Sequence, residues 1–386
     1  MIENTLIQPD QNWMLWAILI SVAAFSIWAE KTKIGSKLSA VVIAIFGTFL
    51  LSNLSIIPSA APSYDIVWSY LVPIAIPLLL FKADLKKIIK EAGPTLLAFF
   101  FGAIGTVIGT IVAFFVIPLG ENGWKLAAIF SSTYIGGSMN YVAAAEAVEL
   151  NSGNLLAAGV AADNLVMAVY FLILFAIPSI GFLKNRYPNH HQLQAENDEH
   201  NYEETQVLQS NISLSNLSKA IAISVSICAI GNLLADLSGI NGSSILIITA
   251  IVVLIATVFP KQIGSIEGAD MIGTFFMQIF FAAIGASANI FVVLEYGPIL
   301  FVFAGLILTI HLIFLLGAGK LFKLDLAEIV IASNANMGGP TTAAAMAVAR
   351  NWKGLVIPAI LVGTLGYAVA TFIGVGLGYW LQSFKF

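Results

Sequence analysis

Residues 333–351 read SNANMGGPTTAAAMAVARN, and this stretch decides the fold. Gly338, Gly339 and Pro340 lie in the middle of a long apolar segment, although glycine and proline are the residues that end helices. The helical arm on each side is about a dozen residues long, roughly 15–18 Å, which is half of a bilayer core of ~30 Å. The pattern predicts a break near the membrane midplane, where irregular backbone must be buried or line a water-filled cavity.

An earlier stretch repeats the pattern. Residues 131–151 read SSTYIGGSMNYVAAAEAVELN, with Gly136 and Gly137 at the centre, and both stretches end in AAAxAVxxN. Two glycine-interrupted apolar segments at corresponding places in two halves indicate the binding site of a transporter. A chance match between alanine-rich helices is the alternative, and the matching glycines argue against it.

The composition is that of an integral membrane protein. Of the 386 residues, 59% are hydrophobic and 10% are charged, and the mean hydropathy is +0.93. A soluble domain is usually about a quarter charged. The net charge of −4 argues against a nucleic-acid partner, and the single cysteine, Cys228, excludes an intrachain disulfide. The N-terminus lacks a basic region, so we expect no cleaved signal peptide.

Apolar segments divide the chain into two membrane halves, residues 1–183 and 217–386, with a polar linker at 184–216. The acids and amides of this linker suit solvated chain. It carries His190, His191 and His200, for which a metal site or a pH sensor is the alternative interpretation. Since lipid admits only helices or closed barrels, we expect the twelve apolar segments to be helices. They lie at residues 13–29, 38–57, 64–81, 94–117, 125–148, 155–180, 217–237, 243–259, 271–291, 298–319, 326–349 and 354–382.

The lysines predict how many of these segments cross. Lys31 follows the first segment and Lys82 the third, so both loops are expected to be cytoplasmic. If all twelve segments crossed, Lys320 and Lys323 would lie outside. One non-crossing segment returns them to the inside and makes the two halves inverted repeats. The expected fold is therefore all-α, with 11–12 transmembrane helices in two inverted repeats, each containing a discontinuous crossing helix, and eleven crossings are favoured.

The breaks predict a substrate site. A half-helix that ends at a break offers unpaired carbonyls to a cation, and one that begins there offers N–H groups and a positive dipole end to an anion. Ser138 or Asn140, and Thr341 or Thr342, are suited to cap the helix starts. The alternative is that these groups only satisfy freed backbone. The expected substrate-binding residues are Gly137, Ser138, Asn140, Asn334, Asn336, Gly339, Thr341 and Thr342.

Acids inside membrane segments predict a coupling site. Asp163 and Asn164 lie in the segment after the first break, and Glu146 lies two turns beyond that break. Such acids are rare and usually functional, so with the carbonyl of Gly136 they predict a Na⁺ or H⁺ site, in which Asp163 and Asn164 are the metal ligands. Glu146 could instead be interfacial, and Asp163 could serve a helix–helix hydrogen bond. His311 fits a proton relay or a neutral hydrogen-bonding histidine equally well.

Together the broken segments and the Asp163–Asn164 pair resemble the cation:proton antiporter/anion transporter superfamily. Its members share inverted repeats, two crossing discontinuous helices and a core domain that moves against a panel. The stretch MGGPTTAAA and the length resemble more closely a bacterial membrane family known as domain of unknown function 819, over nearly the whole chain. The antiporters carry Asp-Asp or Asn-Asp in the matching helix, and here the order is reversed. The resemblance implies an elevator-type transporter in the bacterial inner membrane and allows a homodimer.

The expected function is symport of a small carboxylate-bearing solute, driven by Na⁺ or H⁺, without a further cofactor. The carboxylate follows from two helix starts, each equivalent to about half a positive charge, at a depth without lysine or arginine. The alternative is a Na⁺/H⁺ antiporter without an organic substrate. A passive channel would need no coupling site. The sequence contains no HExxH or GxSxG motif, so we expect no enzyme.

Overall fold

The computed structural model describes residues 5–32, 40–191, 212–239, 243–288 and 290–384, so His200 lies outside the described residues. In these ranges the regular structure is helical throughout. The main helices are α1 (Asn12–Glu30), α2 (Ala40–Asn53), α3 (Pro62–Leu80), α4 (Leu85–Glu91), α5 (Gly93–Val116), α6 (Gly123–Gly136), α7 (Met139–Ala147), α8 (Gly153–Ala176), α9 (Leu214–Ser238), α10 (Ser243–Val258), α11 (Ala269–Ala286), α12 (Ile290–Leu321), α13 (Leu326–Ala349) and α14 (Val356–Gln382).

Eight of the described helices are long and apolar enough to cross a membrane, namely α1, α3, α5, α8, α9, α11, α12 and α14. The apolar helices α2 and α10 are shorter. Many large apolar side chains point away from the helix bundle, for example Phe46, Leu172 and Leu233. This outer surface suits lipid. The expected all-helical polytopic membrane protein is therefore confirmed.

Polar residues mark where several helices begin. The Asp84 carboxylate accepts backbone N–H groups at the start of α4, and Ser213 caps α9. Asp325 and Glu328 form a reciprocal capping box at the start of α13. Such caps satisfy the backbone donors that the first helical turn leaves unpaired. They fix the position of α13, which carries the second glycine break.

Helices α6 and α7 form a hairpin. Between them Gly137 has φ 82° and ψ 174°, which reverses the chain direction. Near the start of α6, Lys125 Nζ donates to the carbonyl oxygen of Glu149, just beyond α7, over 3.0 Å. The hydroxyl of Tyr379, on α14, donates to the carbonyl oxygen of Ala147 in the same region. Both arms therefore reach the same end of the bundle.

Helix α13 forms a second hairpin. Gly339 interrupts it with φ 75° and ψ −165°. The backbone N–H of His191 donates to Asp325 Oδ2, at the start of α13. A Cβ added to Gly354, just after α13, would lie 3.7 Å from His191 Cε1. The beginning and the end of α13 are thus close together, so its two arms also return to one end of the bundle.

These hairpins correct the expectation of discontinuous helices that cross the membrane. Gly137 and Gly339 occupy a region of φ and ψ that is essentially restricted to glycine, and the chain turns back there instead of continuing. Neither of the segments predicted at 125–148 and 326–349 crosses. The eight long helices and the two shorter ones remain as the segments that can cross, so the expected 11–12 crossings are too many.

Basic side chains collect at one end of the bundle. Lys82 follows α3, Lys261 follows α10, and Lys320 is in the last turn of α12. Among the described lysines and arginines, Lys125 alone lies at the other end. We call these ends the lysine end and the opposite end. The first hairpin opens toward the opposite end, and the second opens toward the lysine end.

Helix α14 packs against both hairpins. At Gly366 a Cβ would lie 2.9 Å from Gly136 Cα, and at Gly363 it would collide with the backbone of Pro340. Glycine at these two positions lets α14 approach both hairpin tips. At the lysine end, the hydroxyl of Tyr187 donates to the Leu316 carbonyl oxygen over 2.8 Å. Within the polar stretch, Tyr187 is therefore anchored on α12, while Asn185 and Arg186 beside it are exposed.

Candidate functional site at the hairpin tips

A backbone hydrogen bond joins the tips of the two hairpins. The N–H of Gly137 donates to the carbonyl oxygens of Thr133, over 2.7 Å, and Asn336, over 3.0 Å. A Cβ on Gly137 would lie 3.1 Å from the backbone nitrogen of Gly339. The two glycine turns predicted from the sequence are therefore in direct contact, and a side chain on Gly137 would press on the opposing tip.

The side chain of Asn336 fills the space beside this contact. Its Nδ2 donates to the carbonyl oxygens of Ile135, over 3.2 Å, and Phe99, over 3.4 Å. Its Oδ1 is buried without a hydrogen-bond partner among the described residues. Gly102 on α5 leaves room for this oxygen, because a Cβ there would collide with it. Asn336 thus links the second hairpin to the first hairpin and to α5.

Asn140 closes the first hairpin from inside. Its Nδ2 donates to the Gly136 carbonyl oxygen over 2.8 Å, and its Oδ1 accepts a hydrogen bond of 2.7 Å from Thr371 on α14. The expected cap at the start of α7 is absent, since Ser138 holds the N-cap position without a side-chain hydrogen bond and is exposed. Asn140 instead satisfies the last carbonyl of α6. The carbonyl of Gly136, expected to face a cation, is engaged by this amide.

The second hairpin uses its two threonines differently. The hydroxyl of Thr342 donates to Asn334 Oδ1 over 2.7 Å, which ties the two arms together, and Asn334 Nδ2 lies 3.4 Å from Met346 Sδ. Thr341 is exposed. Of the adjacent pair, Thr342 holds the hairpin closed and Thr341 is available to a ligand.

Asp163 lies on α8, and its side chain is buried against the first hairpin. It lies beside Tyr134 and Tyr141, yet neither Asp163 Oδ1 nor the Tyr134 hydroxyl makes a hydrogen bond of normal geometry with a described residue. Asn164 Nδ2 donates to the carbonyl of its own helix at Val160. In the described residues no group of three or more His, Cys, Asp or Glu could hold a metal ion. The expected ligation by Asp163 and Asn164 stays a prediction.

Glu146 lies away from the hairpin tips. It is half-buried near the end of α7. The charged group that influences it electrostatically is Glu149 rather than Asp163. This position matches the interfacial alternative, because the base of the hairpin lies at the opposite end of the bundle. The structure does not bring Glu146 together with Asp163.

A buried hydrogen-bond chain passes through His311. The hydroxyl of Thr106 donates to the Tyr134 carbonyl oxygen and lies 2.9 Å from His311 Nδ1. Ser333 Oγ lies 3.0 Å from His311 Nε2 and 2.7 Å from the hydroxyl of Tyr170. Because Thr106 has spent its hydrogen, it accepts from Nδ1–H, and Nε2 accepts from Ser333. A neutral ring is hydrogen-bonded at both nitrogens in this arrangement, as the hydrogen-bonding alternative for His311 expects.

The sequence did not predict this chain of hydrogen bonds. Thr106, Ser333 and Tyr170 come from α5, α13 and α8, and ordinary hydroxyl residues at such distances carry no spacing signal. Through His311 on α12 they connect four helices around the second hairpin. A neutral histidine tied on both ring nitrogens positions these helices.

A cavity of about 1250 Å³ opens at the lysine end and reaches the tip of the second hairpin. Pro340 and Thr341 of α13 and Tyr367 of α14 line its inner end. Of the expected substrate-binding residues, Thr341 is the one that lines it, and among the described residues none from α6 or α7 does. Charged residues surround the mouth: Lys82, Asp84, Lys87, Lys261 and Asp270.

Similarity to known proteins extends over nearly the whole chain. A family model described as "Protein of unknown function (DUF819)" matches residues 17–384. The chain is also 36% identical over 398 aligned residues to the "Uncharacterized membrane protein YjcL" of Bacillus subtilis (strain 168). That alignment covers 99% of this chain and 100% of the relative. Both hairpins and the helices around the cavity lie inside the matched regions.

Proposed function

The chain belongs to the DUF819 family of membrane proteins, and we propose that it is a secondary active transporter that works by alternating access. One observation carries this proposal: two hairpins that open toward opposite ends meet tip to tip beside a cavity that opens at one end. Non-helical backbone inside a bilayer is costly unless it is buried or lines a cavity, and both conditions hold at these tips. A structural membrane subunit would need neither feature.

The two halves then act as inverted repeats. The shared AAAxAVxxN pattern follows each glycine turn, and the corresponding hairpins open toward opposite ends. Under the positive-inside rule the lysine end is cytoplasmic, in the inner membrane of a bacterium. The cavity accordingly faces the cytoplasm, and the described state is inward-open. Movement of the two hairpins and α14 as one body would carry the site to the other face.

The coupling ion is proposed to bind at Asp163. A buried carboxylate without a paired cation is strongly disfavoured when ionised, so neutralisation by Na⁺ or H⁺ changes the energy of moving this region through the membrane. The adjacent hydroxyl of Tyr134 is an oxygen that could contact either ion. Asp163 is therefore the residue through which transport would depend on a cation gradient.

The substrate is proposed to be a small solute with a carboxylate, carried together with the ion. Thr341 lies at the inner end of the cavity, next to the start of the second arm of α13, where backbone donors favour an anion. Net positive charge at the mouth, from Lys82, Lys87 and Lys261 against two aspartates, favours entry of the same class of solute. Na⁺/H⁺ exchange without a solute is the competing function.

Proteoliposomes test these functions directly. Purified protein is reconstituted with a pH-sensitive dye inside, and a Na⁺ or H⁺ gradient is imposed with and without a panel of carboxylates. Gradient-dependent accumulation of a solute, lost in Asp163→Asn, supports the proposed symport. A Na⁺-driven pH change without any solute would establish the antiporter instead. Solute flux that never exceeds equilibration, and does not respond to either gradient, would contradict coupled transport.

A further inference from the structure

The hydroxyl groups that line the cavity differ in whether their hydrogens are already used. Thr274 donates its hydrogen to the Asp270 carbonyl oxygen, and Thr364 donates to the Ile360 carbonyl oxygen, each over 2.8 Å. The hydroxyls of Thr341 and Tyr367 make no hydrogen bond with a described residue. Of the four hydroxyls that line the cavity, these two keep a free donor.

Tyr367 lies directly against the turn of the second hairpin. A Cβ added to Gly339 would be 2.7 Å from both the hydroxyl oxygen and Cε1 of Tyr367. The positive φ of Gly339 and the absence of a side chain there give the ring this position. The phenolic hydroxyl is consequently held next to Pro340 and Thr341 at the inner end of the cavity, on a helix that contacts both hairpins.

The carboxylates of the described cavity lining lie away from its inner end. The lining acids, Asp84 and Asp270, are at the mouth, and Asp270 is 2.9 Å from Lys82 Nζ. Apolar side chains separate this mouth from the inner end, among them Leu79 and Leu361. Within the described lining, no carboxylate reaches the hydroxyls of Thr341 and Tyr367. In the open cavity water can accept both hydrogens, and a bound solute that displaces this water has to supply an acceptor of its own.

We propose that Tyr367 and Thr341 bind the carboxylate of an organic anion whose apolar part lies along the cavity wall toward the lysine end. This inference rests on the proposed function and adds the residues that recognise the substrate and its amphipathic character. Two hydroxyl donors suit the two oxygens of one carboxylate. A cavity of about 1250 Å³ exceeds the size of a simple amino-acid pocket, so the apolar wall has room for a larger hydrocarbon part.

Binding by the purified full-length protein tests the assignment with 3-phenylpropionate, 3-phenylpropanamide and acetate as probes. Unlabelled 3-phenylpropionate should compete with the radiolabelled acid for binding. The uncharged amide should compete much less, and acetate, which lacks the apolar part, least. Tyr367→Phe should raise the Kd about tenfold or more, because it removes a hydrogen bond to a charged group. Thr341→Val should act in the same direction.

The matched controls are Tyr70→Phe, an exposed tyrosine outside the cavity lining, and Thr274→Val, a lining threonine whose hydrogen is already used. Both should leave the Kd within about twofold of wild type. Thermal unfolding of each variant without ligand separates a folding defect from a binding defect. An unchanged Kd in Tyr367→Phe, equal binding of acid and amide, or no binding of any acid at 10 mM, roughly the weak end of ligand affinities, would overturn the assignment.

Transport of the same probe separates this inference from the proposed function. If 3-phenylpropionate binds, depends on Tyr367, and is not moved by any ion gradient in liposomes, the recognition site stands and the transporter proposal fails. If the probe is transported with the same apparent affinity by wild type and Tyr367→Phe, the transporter stands and the recognition site fails.

Discussion

Replacing Gly137 with alanine tests whether the hairpin tips are built as described. With φ 82° and ψ 174°, this residue lies in a region that non-glycine residues occupy at a cost of about 1–3 kcal/mol. The added Cβ would also lie 3.1 Å from the backbone nitrogen of Gly339, closer than most real contacts. Separation of the tips would lose the hydrogen bond to the Asn336 carbonyl, about 1 kcal/mol. We expect Gly137→Ala to be destabilising by about 2–4 kcal/mol.

Gly239→Ala is the control for a positive φ alone. Gly239 follows α9 with φ 65° and ψ 13°, and a Cβ added there would have no atom within 4 Å. A left-handed residue that is not glycine costs about 1–2 kcal/mol there. Unfolding of both variants in mixed detergent micelles with increasing dodecyl sulfate, followed by tryptophan fluorescence, compares the free energies of unfolding.

Two results would contradict the described tip geometry. If Gly137→Ala unfolds at the same detergent fraction as Gly239→Ala, the tip contact is not close. If it unfolds like the unchanged protein, the backbone at this position is not confined to the glycine region either. A larger loss of stability in Gly137→Ala than in Gly239→Ala supports the contact. The comparison does not depend on knowing the substrate.

Three further outcomes are expected. Asp163→Asn should remove the dependence of liposome transport on a cation gradient while leaving the far-ultraviolet circular dichroism unchanged; an intact dependence would refute the coupling role. Thr371→Val should lower the free energy of unfolding by about 1–3 kcal/mol, because it leaves the buried Oδ1 of Asn140 unpaired, and a neutral result in detergent unfolding would contradict that bond. The Glu328 carboxylate, 3.8 Å from His191 Nε2, raises the pKa of His191 above its ordinary value, so this ion pair stabilises most below about pH 6.5 and is lost as the pH rises through the folded pKa. Amide hydrogen exchange near His191 should therefore increase with pH beyond its intrinsic rate, and this excess should be absent in Glu328→Gln.

Local backbone chemistry made the breaks predictable, and longer-range contacts decided their form. The glycines at 137 and 339 require φ values that other residues avoid, so the interruptions follow from the sequence alone. Arms of half a bilayer fit a crossing helix and a hairpin equally well. The contact between Lys125 and Glu149 distinguishes the two, and residues at that separation carry no mutual signal in one sequence.

The roles of the polar residues at the site likewise depend on contacts that a single sequence does not predict. Thr341 and Thr342 are chemically identical neighbours, yet successive helical residues point about 100° apart, so one contacts Asn334 and the other faces the cavity. Tyr367 was missed because an aromatic residue in an apolar segment ordinarily indicates packing or lipid contact. Its functional placement depends on Gly339, which is close in space only after folding.

The contact between the hairpin tips has a consequence for electrical conductance. Gly137 is hydrogen-bonded to the Asn336 carbonyl and the Asn336 side chain fills the space alongside, so protein atoms and not an open pore occupy the contact between the tips. In the proposed transporter, charge would then move only with each reorientation of the two hairpins and α14, and not by conduction. In a planar bilayer under voltage clamp, the protein should produce no unitary current steps, and any current should saturate with solute concentration at the turnover rate multiplied by the charge carried per cycle.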